Sequence, residues 1–232
     1  MNAILFVFSF FNGASPASAT VTPVDTFTDT GGVLLPSHSP TPTANFAWQA
    51  ISGLGGSNDL RISDANRVRP NATGEVICYA DATPASADYS AMATIYIKSV
   101  GGGFVGLGVR QDSASKILYT AIYNVSALRW ELYWVNGGSF SLLGTSSQTL
   151  SVETGYHLEL AVSGTSLTVK VDGSTIITAT DSAISSAGFR SIYASGAASD
   201  STGLHVDNFG QAYSPSVSGK FPWLLLVSGR AA

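Results

Sequence analysis

Tyr156-His157-Leu158-Glu159-Leu160-Ala161-Val162 and, a few residues on, Ser166-Leu167-Thr168-Val169-Lys170-Val171 decide how this chain folds. In the first stretch the apolar positions are 156, 158, 160 and 162; in the second they are 167, 169 and 171. A repeat of two residues puts one face of an extended strand into a core and the other toward water. Ser163-Gly164-Thr165 supplies a turn between the two stretches. Asp172-Gly173 supplies a second turn, into Thr175-Ile176-Ile177-Thr178-Ala179, because both residue types tolerate the positive φ that a tight hairpin needs. The spacing therefore predicts antiparallel hairpins.

Working upstream, Tyr89 to Lys98, Phe104 to Arg110, Lys116 to Tyr123, Leu128 to Val135 and Phe140 to Leu143 read as further strands. They are separated by Gly101-Gly102-Gly103, Asp112-Ser113, Asn124-Val125-Ser126 and Asn136-Gly137-Gly138. No segment carries a capped apolar stripe of helical period, and no fixed-length repeat stands out. Many short strands with regular turns predict an all-β fold, a two-sheet antiparallel jelly-roll sandwich.

Composition narrows the partners. Hydrophobic residues make up 45%, ample for a core, while charged residues are only 11% against a usual share of about 25%. The net charge of −4 and the lack of a basic stripe exclude a phosphate-tracking surface, so no nucleic-acid partner is expected. Cys78 is the only cysteine, which rules out an internal disulfide; within Val76-Ile77-Cys78-Tyr79 it reads as a buried apolar residue.

Both ends carry apolar runs, Ala3 to Phe11 and Phe221 to Val227, each too short for a membrane-spanning helix of about 20 residues. The expected division is an N-terminal extension and linker over 1–23, a sandwich over 24–212, and a linker and apolar tail over 213–232. Residues 1–19 read either as a secretory signal with its site at Ala17-Ser18-Ala19, or as a buried strand. Left uncovered, such runs would aggregate. Ile4, Phe6, Phe8, Phe10, Phe221, Trp223 and Leu225 are accordingly candidate contacts in an assembly.

Two further segments carry a family resemblance. Val24-Asp25-Thr26-Phe27-Thr28-Asp29 is followed by Gly31-Gly32-Val33-Leu34-Leu35, His38-Ser39-Pro40 and Trp48; near the end stands Val206-Asp207-Asn208-Phe209. This pattern resembles the concanavalin A-like lectin/glucanase superfamily, in its laminin-G-like branch, as found in phage virion and bacterial surface proteins. The resemblance implies two stacked sheets, one of them concave, with first and last strands adjacent and Phe27 and Phe209 in the core. It also allows a structural calcium, for which Asp25 and Asp207 are the candidates, although capping of turns and strand ends is the preferred role for both.

Catalysis finds little footing. The family's hydrolases carry Glu-x-Asp-x-Glu or Glu-x-Asp-x-x-Glu on one strand, and Glu75, Glu131, Glu153 and Glu159 each stand apart from such a motif. His38, His157 and His205 have no metal-ligand spacing; His38 reads as structural, and the other two fall on polar phases of strands. Tyr119, Tyr123, Trp130, Tyr133 and Trp134 crowd two adjacent strands, mostly as core. Glu131 is expected to face solvent. If Arg129, Glu131 and Tyr133 together face outward, they form a shallow sugar groove. The expectation is a non-enzymatic structural or assembly subunit, of a virion or cell surface, partnered by its own copies or other subunits. The alternative is a secreted carbohydrate-binding module whose partner is a glycan; glycan hydrolysis is the outlier.

Overall fold

The structure is a computed structural model that describes residues 23–42, 45–51, 60–71, 73–99 and 101–212. The seven apolar residues proposed as assembly contacts, Ile4 to Phe10 and Phe221 to Leu225, lie outside the described residues.

Among the described residues the chain forms a 3-10 turn, Leu35–Ser37, and fourteen strands. In chain order these are β1 (Trp48–Ala50), β2 (Leu60–Ile62), β3 (Val68–Pro70), β4 (Glu75–Ala80), β5 (Tyr89–Ile97), β6 (Phe104–Gln111) and β7 (Ile117–Asn124). Then follow β8 (Arg129–Asn136), β9 (Ser139–Ser147), β10 (Gly155–Ser163), β11 (Ser166–Val171), β12 (Ser174–Thr180), β13 (Phe189–Ser195) and β14 (Leu204–Asp207). One seven-stranded antiparallel sheet has the order β1-β4-β13-β6-β7-β8-β9, and the other has β12-β11-β10-β5-β14-β3-β2. The fold is a two-sheet jelly-roll sandwich.

Alternation places the core where the sequence predicts it. Tyr119, Tyr123, Trp130, Leu132, Leu158, Leu160, Leu167 and Val169 all belong to the cluster between the sheets. Asp172 and Gly173 take φ of 50° and 78°, so the β11–β12 hairpin turns on two residues with positive φ. Five strands were not predicted from local pattern: β1, β2, β3, β4 and β13. β1, β2 and β3 are only three residues long. β4 and β13 are buried on both faces, which erases the alternation that marks a half-exposed strand. β9 runs four residues beyond the predicted Phe140 to Leu143 because Gly144-Thr145-Ser146-Ser147 keeps pairing with β8 after a register shift.

Two polar networks tie the ends of the sandwich. Asp25 is completely buried and is bridged to Phe209, so the first and last described segments do lie side by side. Its Oδ1 accepts from Phe27 N (2.8 Å), His38 Nε2 (3.1 Å) and Thr41 N (3.2 Å), and its Oδ2 from Trp48 Nε1 (2.7 Å). At another position Arg110, also buried, donates to the carbonyls of Ala87 (3.1 Å), Gly164 (2.9 Å) and Ile184. One guanidinium thus fixes three separate loops.

His38 makes the first network pH-sensitive. Its Nδ1 meets Asp29 at 2.9 Å and its Nε2 meets Asp25, so both ring nitrogens face carboxylates. Burial opposes the charged ring, but the two carboxylates outweigh it and raise the pKa above its ordinary 6.5. The bond to His38 conversely lowers Asp29 below 3.8. A raised His pKa gives stability that is complete below pH 6.5 and lost as pH climbs through the folded value. Asp29 acts oppositely, contributing above 3.8 and losing that contribution as pH falls through its lowered value. His205, whose pKa burial lowers, adds a loss of its own on the acid side of 6.5. The difference in urea midpoint between the parent and His38→Gln isolates the first effect. It is expected to be largest near pH 5–6 and to shrink at alkaline pH; a difference independent of pH would refute the ion-pair account.

Candidate functional site

On β6, Val105, Leu107 and Val109 point into the core, so Phe104, Gly106 and Gly108 occupy the outer face of that sheet. A Cβ on Gly106 would fall 1.9 Å from the Ala121 carbonyl oxygen, and one on Gly108 would fall 2.2 Å from Ser191 Oγ. The middle of the sheet is therefore bare of side chains, with Tyr193 of β13 and Ile122 of β7 paired on either side of Gly106. Next to Ile122 comes Glu131 of β8, and opposite Tyr133 stands Leu142 of β9.

This face is concave. Lys116 Nζ contacts the Glu75 carboxylate at the start of β4 and also lies 4.2 Å from the centre of the Phe140 ring on β9. β4 and β9 are five strand steps apart in the sheet order, about 24 Å if the sheet were flat. Two side chains and one ammonium cannot bridge that span, so the sheet curls around its outer face. The curl explains why Ile77, Leu118, Val135 and Tyr193 are fully buried on the side away from the main core.

In the hollow lies a groove of about 170 Å³, lined by Glu75, Phe104, Ile122, Asn124, Glu131, Tyr133, Phe140 and Tyr193. Rings meet edge-on at both sides: Phe104 with Tyr193 at 5.0 Å and Tyr133 with Phe140 at 5.9 Å. Glu131 anchors the polar part. Its Oε1 accepts from Arg129 Nε at 2.6 Å; its Oε2 accepts from Tyr133 Oη at 3.0 Å and Asn124 Nδ2 at 3.2 Å. Burial, reinforced by the Glu131 carboxylate as acceptor, raises the Tyr133 pKa.

Arg129, Glu131 and Tyr133 thus share one face and one network. Glu131 departs from the solvent-facing expectation: its side chain is only 1% exposed, because the curled sheet and its three donors enclose it. Arg129 is 39% exposed and carries the network to the rim. Sequence reasoning missed Glu75, Phe104 and Tyr193, which come from distant strands, and Lys116, which comes from the turn before β7. Tyr119, Tyr123 and Trp130 are core, with Trp134 packed partly against them.

A second cleft of about 310 Å³ opens between β9 and β12, lined by Ser146, Ser147, Gln148, Val171, Asp172, Ser174 and Ile176. It is larger but offers no aromatic ring.

The acids suggested for calcium are engaged by the protein itself. All four donors on Asp25 come from the protein, three on Oδ1 and one on Oδ2. Asp207 Oδ1 accepts from Asn208 N at 2.7 Å, and its Oδ2 faces Arg67 at 3.7 Å. No group of three or more metal-ligating side chains occurs among the described residues. His205 also departs from expectation. It is completely buried rather than on a polar face, with Nε2 3.0 Å from the Ser199 carbonyl. Cys78 is a core residue whose thiol pKa burial pushes far up.

The sequence matches no protein-family model and no curated protein. Solved structures do match in fold. The carbohydrate-binding module CBM66 from Bacillus subtilis superposes with a TM-score of 0.53 at 21% identity, over 70% of this chain and 92% of that one. The Bacillus licheniformis beta-glucanase gives 0.55 at 10% identity, over 80% and 95%. The exoplasmic/lumenal domain of VIP36, in a Ca²⁺/mannose-bound form, gives 0.50 at 10% identity, over 72% and 83%. In fold, this chain is a two-sheet sandwich like these three. They include a carbohydrate-binding module and a glucanase, so what this chain does must be argued from its groove.

Proposed function

We propose that the chain is a non-enzymatic carbohydrate-binding module whose ligand lies in the concave groove. The observation that carries this reading is the groove's chemistry: aromatic rings on both sides of a buried carboxylate that orients a tyrosine, an asparagine and an arginine. Rings take the apolar faces of a sugar, and the fixed polar groups take its hydroxyls. At about 170 Å³ the groove is smaller than the roughly 300–1,000 Å³ of pockets that engulf drug-sized ligands. That size suits one sugar unit held at the surface of a longer glycan.

Binding suits the acids better than hydrolysis does. A retaining pair needs two carboxyl groups about 5–5.5 Å apart, one free to attack and one to protonate. Both oxygens of Glu131 are engaged, and Glu75 is paired with Lys116. The CBM66 likeness supports binding by analogy of fold. A glycan ligand also fits an extracellular or cell-surface location. The assembly reading rests on apolar runs outside the described residues, and the neighbouring structures lend it no support.

A printed array of neutral oligosaccharides tests the proposal. The parent protein is expected to retain at least one, and Tyr133→Ala to weaken that binding about tenfold or more through loss of stacking. Tyr133→Phe, which keeps the ring but not the bond to Glu131, should lose less. Failure of the parent to retain any sugar would end the proposal.

A further inference from the structure

Tyr193 lies at the inner end of the groove, completely buried, beside Glu75 and edge-on to Phe104. Its Oη is shielded from water and faces the Glu75 carboxylate without closing to a well-formed hydrogen bond among the described residues. Buried hydroxyls are nearly always satisfied, and one left without a partner beside a groove is a place where a ligand completes the bonding. The nearby Glu75 carboxylate is already held by Lys116.

Lys116 is unusual in the same way. Its side chain is 8% exposed, yet its ammonium has one carboxylate partner and otherwise faces the rings of Phe140 at 4.2 Å and Tyr193 at 5.6 Å. An ammonium has three donors, and ring faces serve it where no oxygen is offered. An incoming hydroxyl supplies such an oxygen. The groove's charges also cancel, since Glu75 faces Lys116 and Glu131 faces Arg129. A carboxylated sugar would bring a further negative charge between the buried Glu131 carboxylate and the half-buried Glu75 carboxylate.

Resting on the carbohydrate-binding reading, we propose that the Glu75–Lys116–Tyr193 end of the groove reads one hydroxyl of an uncharged saccharide. That hydroxyl bonds Tyr193 Oη while the Lys116 ammonium slides off the Phe140 and Tyr193 rings to donate to the sugar. Tyr193, rather than the rim aromatics, then sets which hydroxyl pattern the groove accepts.

Tyr193→Phe tests this with two readouts. Without ligand, the melting temperature should be unchanged or higher, because the substitution removes only an unpartnered hydroxyl; a fall of several degrees would show that the hydroxyl is satisfied within the protein and overturn the inference. With the neutral oligosaccharide the parent binds best on the array, titration calorimetry should show about 5- to 150-fold weaker binding to Tyr193→Phe. The matched uronic acid should bind the parent more weakly than the neutral sugar. Parent-like affinity of Tyr193→Phe, alongside weakened binding by Tyr133→Ala, would overturn the role of Tyr193 while leaving the carbohydrate-binding reading intact. Absence of any binding by the parent would remove both.

Discussion

Asp25→Ala is expected to cost the fold about 3–5 kcal/mol, the range for removing one partner of a buried ion pair. A sandwich of this kind has only about 5–15 kcal/mol in total, so the variant should be a fifth or more of the way to unfolding before any denaturant is added. The size follows from what is left behind. Phe27 N, Thr41 N, His38 Nε2 and Trp48 Nε1 all lose their acceptor together, inside a site with no access to water. Asp25→Asn should fall between parent and alanine variant, since its amide keeps one acceptor oxygen and turns a donor toward another donor. Urea unfolding followed by tryptophan fluorescence measures all three. An alanine variant within 1 kcal/mol of the parent would mean that the network is not what holds the segment from Asp25 to Trp48 together.

Arg110→Ala is expected to be nearly as damaging, at about 3–4 kcal/mol, but through a different route. Nothing collapses in the core. Instead the carbonyls of Ala87, Gly164 and Ile184 lose their shared donor, and Asp88, 3.6 Å from the guanidinium, loses its counter-charge. The predicted signature is local: amide hydrogen exchange should rise in the loops over 81–88, 163–166 and 181–188, while β7 and β8 stay protected. Arg110→Lys should not rescue it, because an ammonium cannot reach three diverging carbonyls as a planar fork does. Uniform loss of protection across both sheets would contradict this picture.

The sequence carried the sheets further than it carried the groove. Strands with one wet face, such as Gly155–Ser163 and Ser166–Val171, announce themselves by alternation. Phe189–Ser195 does not, because the second buried layer on the concave side covers the face that would have been polar. The same layer hid Glu131: a glutamate among aromatics on an alternating strand looks solvent-facing until the curl of the sheet encloses it. Arg129, Glu131 and Tyr133 were legible because they are near neighbours on one strand. Glu75, Phe104, Lys116 and Tyr193 reach the groove from four separate places in the chain, and no local pattern links them. The family-like segments were read correctly as a bracket, since Asp25 and Phe209 are bridged. The role of Asp25 as acceptor for four donors needed the geometry.

The glycines at 106 and 108 carry a lesson about how this surface can diverge. A side chain at 106 would strike backbone and one at 108 would push aside the Ser191 and Leu118 side chains, so the central strip tolerates little drift in descendants of this chain. Novelty in taste for one sugar over another must be written at the margins instead, at positions such as Phe140 and Leu142, whose exposed side chains can be exchanged without disturbing the strip. Comparison of sister sequences should find two silent letters in the middle of the hollow and a lively vocabulary around its lip.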